Sequence, residues 1–263
     1  MTAASPTEPL IIAEQRGAVM LLTLNRPKKR NAINDPTVYE LERLMLSLPA
    51  EVRCVVLQGA GEHFCAGLDL SELTARDVPE GILHSMNWHR IFERMQFGAV
   101  PIVSVLKGAV IGGGLELATT THVRVAEKSA YYALPEGQRG IYVGGGASVR
   151  LPRIIGVDRM MDMMLTGRTY NADEGYALGL SQYVVENGQG LDKALALAER
   201  IAQNAKITNF ALLQALLRIA EIDRPGGFFM EALMAGVAQG EPDAKQRLRD
   251  FLEGRTAKVK PQG

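Results

Sequence analysis

An α/β core followed by a helical end region is the fold class this sequence predicts, and three observations carry it. Short apolar runs that stop at glycine, "VRCVVLQG" and "VPIVSVLKG", alternate with segments of helical period through the first half. Helical period dominates after Ser148. At 263 residues with 47% hydrophobic content, the chain can bury a sizeable core, and no low-complexity linker divides it.

Each element follows in order. Residues 1–9 read as a disordered tail: "MTAASPTEP" has neither the basic start nor the apolar run of a secretory signal. Leu10–Ala13 and Val19–Leu24 flank a polar turn at Gly17 and predict a β-hairpin. In "DPTVYELERLMLSL", Asp35 is the expected N-cap, with Pro36 at the first helical position and Val38, Leu41, Leu44 and Leu48 on one face. "VRCVVLQG" is a strand, "HFCAGLDLSEL" a loop entering a helical segment, and 79–95 a helix. "VPIVSVLKG" is a second buried strand, "GGLELATTTH" a helix and "VRVAE" a third strand. The glycine-rich stretch "SAYYALPEGQRGIYVGGGAS" reads as irregular, and helices follow to the end. The economical division is a core over residues 10–200 and a helical region over 201–263.

Composition removes several function classes. Lys+Arg and Asp+Glu balance at 29 each, without the basic excess of a duplex-DNA binder. Cys54 and Cys65 sit in apolar surroundings and read as buried thiols, not a disulfide. No cysteine or histidine spacing fits a metal site, so no metal is expected. No stretch is apolar enough to span a bilayer, and a soluble cytoplasmic protein is expected. The runs "GGGLEL" and "GGGASV" give neither G-x-G-x-x-G nor a Walker loop, and G-x-S-x-G is absent.

What remains is a strand ending in glycine and running into a helix. The first amides of a helix lack intrahelical partners and lie at its positive end. Glycine lets a ligand oxygen come close, so Gly113 and Gly114, with the second turn at Gly67 and Leu68, suit an oxyanion site. The same glycines also fit plain strand-to-helix turns. Glu116 follows at the helix start in apolar company, and Glu136 lies on a loop in "YALPEGQRG". Burial and mutual repulsion would leave one carboxyl protonated and the other ionised, which suits paired acid–base work on water. Taken singly, Glu116 also fits a helix-start acid and Glu136 a solvated turn residue.

Five ordered segments, "LNRPKKRNAIN", "HFCAGLDLSEL", "VPIVSVLKGAVIGGGLELA", "YYALPEGQRGI" and "LTGRTYNADEGYALGLSQYVV", together resemble the enoyl-CoA hydratase/isomerase (crotonase) superfamily over residues 10 to 255. The resemblance implies a spiral of repeated ββα units with a helical C-terminal region that covers the core or mediates trimerisation, in a homotrimer or hexamer. It implies an acyl-CoA thioester substrate, with CoA part of the substrate and no other cofactor. By motif match, the Leu68 and Gly113 amides form the oxyanion hole, and Glu116 and Glu136 are the catalytic acids. Retention of both acids points to a hydratase. An isomerase or acyl-CoA thioester hydrolase of the same superfamily, or an inactive CoA-thioester-binding scaffold, is the alternative. Arg26, Lys28, Lys29 and Arg30 resemble the segment bordering the CoA phosphates, and Ala66 the position facing adenine. Met86, Trp88, Phe92 and Gly144 fall where the acyl pocket is shaped. His122 stands where many hydratases carry an acid, and Val143 replaces a common proline. "YYALPEGQRGI" is most similar to the methylthioacryloyl-CoA hydratase branch.

Overall fold

The computed structural model describes residues 8–69, 71 and 76–255. Most of the expected tail, and most of the helical segment expected after Asp69, lie outside these residues. The chain divides into two compact units, Met1–Ala202 and Gln203–Gly263.

The first unit begins with the expected hairpin, β1 (Ile11–Arg16) and β2 (Val19–Leu24), paired antiparallel. β3 (Cys54–Gly59), β4 (Ile102–Leu106), β6 (Val123–Glu127) and β9 (Tyr183–Val185) then extend it in parallel, giving a six-stranded sheet in the order β1-β2-β3-β4-β6-β9. A second sheet holds β5 (Ala109–Ile111), β7 (Tyr131–Ala133) and β8 (Tyr170–Asn171). Two successive turns of chain, β4 then β5 and β6 then β7, therefore place one strand in each sheet, which is the ββ part of the expected repeat. Gly108, at φ 49°, makes the corner between β4 and β5.

The large sheet is buried on both faces, so its central strands are almost wholly apolar. Side chains alternate along each strand. Val19, Leu21, Cys54, Val56, Val103 and Val125 face one way, against Ala194 and Ala198 of α7 (Gly190–Ala202). Met20, Leu22, Leu24, Val55 and Leu57 face the other way, into the main core. That core is shared with α1 (Asp35–Leu46), α2 (Val78–Gln96), α3 (Gly113–Ala118), α4 (Ala147–Ile155) and α5 (Val157–Thr166). Leu22 and Leu57 are fully buried, and each such side chain contributes about 1.5–3 kcal/mol through its removal from water. α6 (Ala172–Ala177) opens with a capping box from Asn171.

Three local expectations are corrected. Asn34, not Asp35, caps α1: its side chain accepts the Thr37 amide, and Asp35 and Pro36 enter the helix. The strands β5, β7, β8 and β9 were not expected, because two or three residues are too few to show alternation. "GGLELATTTH" is helical only to Ala118; Thr119, Thr120 and Thr121 turn their hydroxyls back onto the carbonyls three residues earlier.

The second unit is helical. α8 (Lys206–Ala211) runs through a wide turn at Leu212–Leu216 into α9 (Leu217–Ile219). α10 (Arg224–Gly240) and α11 (Pro242–Leu252) follow. α10 leaves Phe228, Phe229, Leu233 and Val237 exposed.

Candidate active site

The three glycines before Glu116 serve different ends. Gly112 sits at φ 50°, and a Cβ there would press on the Glu136 carboxyl. Gly113 opens α3, so its amide has no intrahelical partner. A Cβ at Gly113 would lie 3.2 Å from the Leu68 nitrogen, and one at Gly67 would lie 3.5 Å from the Gly113 nitrogen. Gly114 packs on the Cys65 carbonyl and leaves no room for a side chain.

Leu68 is aimed by a short parallel bridge. The Ile33 N–H donates to the Gly67 carbonyl and the Asp69 N–H to the Ile33 carbonyl, both at 2.8 Å. The Leu68 amide between them points the other way, so the Leu68 and Gly113 amides border one gap.

Both glutamates face the cavity beside that gap. It has a volume of about 230 Å³, and its lining includes Ala66, Gly67, Leu68, Gly112, Gly113, Glu116, Glu136 and Gly144. The two acids are held differently. Glu116 Oε1 accepts the Gly145 amide at 2.7 Å and the Ala147 amide at 3.0 Å. Burial pushes its carboxyl up, while these amides and the Arg150 guanidinium work the other way. Glu136 is buried, and its Oε2 has no hydrogen-bond partner among the described residues. Burial, reinforced by the Glu116 charge, pushes its carboxyl up to about 7. Glu116 has donors that favour an anion and Glu136 Oε2 has none, so of the two Glu136 is the better suited to carry a proton.

One face of α2 forms the opposite wall. Gly81, His84, Ser85 and Trp88 recur at helical spacing and line the cavity. Met86 falls off that face and is 60% exposed, which corrects its expected place in the acyl pocket. Phe92 is likewise not in the lining: it lies one turn further along, fully buried, with its ring 5.6 Å from that of Trp88. Trp88 and Gly144 do line the cavity, with Val143, Ile141, Tyr142, Arg139 and Arg76.

Sequence reasoning missed Asp35 as a site residue. From α1, its Oδ1 accepts the Trp88 indole N–H at 2.7 Å and pairs with His84 Nε2 at 2.8 Å. Its Oδ2 pairs with Arg76 at 2.9 Å. One carboxylate thereby organises the α2 wall, and Trp88 in turn lies 3.6 Å from where a Gly113 Cβ would be. No local pattern links residues about fifty positions apart.

The basic segment is partly committed within the fold. Asp69 Oδ2 holds Arg26 and Lys29, each at 2.8 Å, and these cations keep its carboxyl far below the usual carboxylate range. Lys28 and Arg30 are exposed. Ala66 donates its amide to the Arg30 carbonyl at 3.0 Å. Asn31, buried at φ 56°, fixes the segment by donating to the Ala60 and His63 carbonyls. His122 is half-buried and lies outside the cavity lining. Both cysteines are free and buried, and burial pushes both thiols up to about 12. Among the described residues, no cluster of three His, Cys, Asp or Glu could hold a metal ion, and no helix is long and apolar enough to cross a membrane.

Two backbone amides bordering one gap, with two buried carboxyls of unequal character beside it, define a site for proton transfer next to a carbonyl. A sequence model described as enoyl-CoA hydratase/isomerase matches residues 14–262, and the chain belongs to that family, the crotonase superfamily. It is 31% identical over 248 residues to the short-chain-enoyl-CoA hydratase of Clostridium acetobutylicum, covering 93% of this chain and 95% of that one. It is 30% identical over 253 residues to the 2,3-dehydroadipyl-CoA hydratase of Escherichia coli, covering 95% and 98%. Its fold matches a crystal structure from Rhodopseudomonas palustris with a TM-score of 0.91 and 58% identity, over 98% of this chain and 100% of that one. The enoyl-CoA hydratase of Bacillus anthracis superposes with a TM-score of 0.88 at 30% identity, over 95% and 98%.

Proposed function

We propose that this protein is an enoyl-CoA hydratase, a hydro-lyase that adds water reversibly and syn across the α,β double bond of a 2-enoyl-CoA thioester. The observation that carries the reading is the unequal pair: Glu116 held by two amides, and Glu136 with a buried, unpartnered oxygen. The thioester oxygen lies in the gap between the Leu68 and Gly113 amides, which strengthen their hold as it gains enolate character. The Glu116 carboxylate takes a proton from water as the oxygen bonds to Cβ. Glu136 delivers its proton to Cα. Solvent exchange resets the two carboxyls, and dehydration runs through the same groups.

This chemistry needs no metal or redox cofactor; CoA belongs to the substrate. Of the basic segment Arg26, Lys28, Lys29 and Arg30, the two cations not tied to Asp69, Lys28 and Arg30, would meet its phosphates. The reading includes a homotrimer or hexamer, tested by analytical ultracentrifugation, and a cytoplasmic location, tested by fractionation.

The deciding experiment follows the enoyl-thioester absorbance with crotonyl-, cinnamoyl- and methylthioacryloyl-CoA, with free CoA measured in parallel. Loss of absorbance without CoA release is expected. Unchanged absorbance with every thioester would overturn the reading, and stoichiometric CoA release would replace it with hydrolysis.

A further inference from the structure

The cradle of Glu116 depends on a chain of contacts that the reaction itself does not use. Gly145, whose amide grips Glu116, turns its carbonyl outward and accepts from Arg150 at 3.0 Å. Arg150 Nε donates to Gln96 Oε1 at 2.7 Å. The Gln96 carbonyl accepts from His122 Nε2 at 2.8 Å, and His122 Nδ1 accepts the Ile102 amide at 2.9 Å. Because Nδ1 accepts, the ring is neutral and its proton sits on Nε2. The chain runs from β4, through the end of α2, to the loop that aims the candidate base.

Arg150 is oddly placed for its own helix. It stands four residues into α4 and folds back over the N-terminus, where a cation is disfavoured. Gly146, at φ 100°, makes room, since a side chain there would collide with the guanidinium. The acids acting on Arg150 are Glu93 of α2 and Glu116 of α3. The charge acting on Glu116 is that of Arg150, and the Glu116 charge in turn raises Glu136.

We infer that Arg150 is a positioning residue for Glu116: its guanidinium fixes the Gly145–Ala147 amides against the carboxylate and balances its charge, and His122 anchors that arginine through Gln96. The role of Glu116 as base rests on the hydratase reading; the assignment to Arg150 has a readout of its own. Arg150→Met removes both fork and charge, whereas Arg150→Lys keeps the charge but cannot hold Gly145 and Gln96 together. Gln96→Ala removes the anchor with no change in charge.

The test records the carboxyl titration of ¹³C-labelled glutamate by NMR, assigned to Glu116 by its loss in Glu116→Gln, beside the pH profile of hydration. In Arg150→Met the Glu116 titration and the acid limb of kcat/KM move up together by about one pH unit. In Arg150→Lys and Gln96→Ala the titration moves little and kcat falls, on the order of 10- to 100-fold. Should Arg150→Met fail to fold, the other two variants decide, since a role confined to structure would leave their kcat at wild-type level once they are folded. An unmoved Glu116 titration in folded Arg150→Met, or wild-type kcat in Arg150→Lys and Gln96→Ala, overturns the assignment. Absent hydration with a shifted titration would overturn the hydratase reading and leave the positioning of Glu116 by Arg150 intact.

Discussion

Glu136→Gln separates the chemistry of the second carboxyl from its cost to the fold. The carboxyl has an ordinary value of 4.5 and is pushed up to about 7 by burial. A folded value above the unfolded one means the proton favours the folded state. The contribution of Glu136 is therefore fully present below about pH 4.5 and lost as pH climbs through about 7. At about 1.4 kcal/mol per pH unit, that displacement amounts to about 3.5 kcal/mol of stability that wild type loses with rising pH and Glu136→Gln does not. The glutamine amide also places a new donor beside the Gly112 backbone, but that effect is independent of pH and cancels in the comparison. Urea denaturation of both proteins at about pH 5 and about pH 8.5 reads the difference. The variant should gain on wild type by about 2.5 kcal/mol between the two, since at about pH 5 part of the contribution is already lost. Hydration should fall by about 10²- to 10⁴-fold, because glutamine has no proton to give. An equal stability gap at the two pH values would refute the raised pKa, and a retained hydration rate would refute the role of Glu136 as acid.

Three further outcomes follow from the same site. Glu116→Gln keeps an oxygen for the Gly145 and Ala147 amides but loses the base, so hydration should fall about 10²- to 10⁴-fold while isomerisation of a 3-enoyl-CoA, which needs one acid, survives; equal loss of both activities would count against the division of labour. Gly113→Ala puts a methyl 3.2 Å from the Leu68 nitrogen, into the gap proposed for the thioester oxygen, and should lower kcat by about 10²- to 10³-fold with little change in melting temperature; unchanged kcat would move the oxyanion elsewhere. Asp35→Ala removes the carboxylate that Trp88, His84 and Arg76 share, and should cost about 1–3 kcal/mol in urea denaturation and blur discrimination among acyl chains; an unaltered acyl-chain ranking would show that the wall does not select.

Much of this site was legible because its chemistry lies in backbone turns. Glycines at 112 to 114 and at 67, with an acid two residues after Gly114, leave a mark that survives without coordinates. The hairpin and β3, β4 and β6 of the large sheet were equally plain, since five or six mostly buried residues make a readable run; β9, with three, was not. The small sheet was not legible, because β5, β7 and β8 are two or three residues long and exist through their pairing. Nor was the α2 wall: helical spacing puts Trp88 and Met86 on different faces, but it does not say which face meets the cavity. The network at Asp35 and the chain from His122 to Glu116 depend on residues far apart in sequence, and only the fold brings them together.

The bridge between Ile33 and Leu68 has a consequence for how the enzyme would use a long substrate. Arg30 holds Ala66, Ile33 holds Gly67 and Asp69, and Asp69 holds Arg26 and Lys29. The basic segment and the segment carrying the Leu68 amide are thus rungs of one stiff ladder. A thioester seized by its distant nucleotide handle at Lys28 and Arg30 would load the same ladder that meets its reacting carbonyl. Grip at one end becomes register at the other, and remote binding energy can be expressed as rate. A substrate cut back to its pantetheine arm should then turn over more slowly even at saturation, with kcat falling beside the rise in KM.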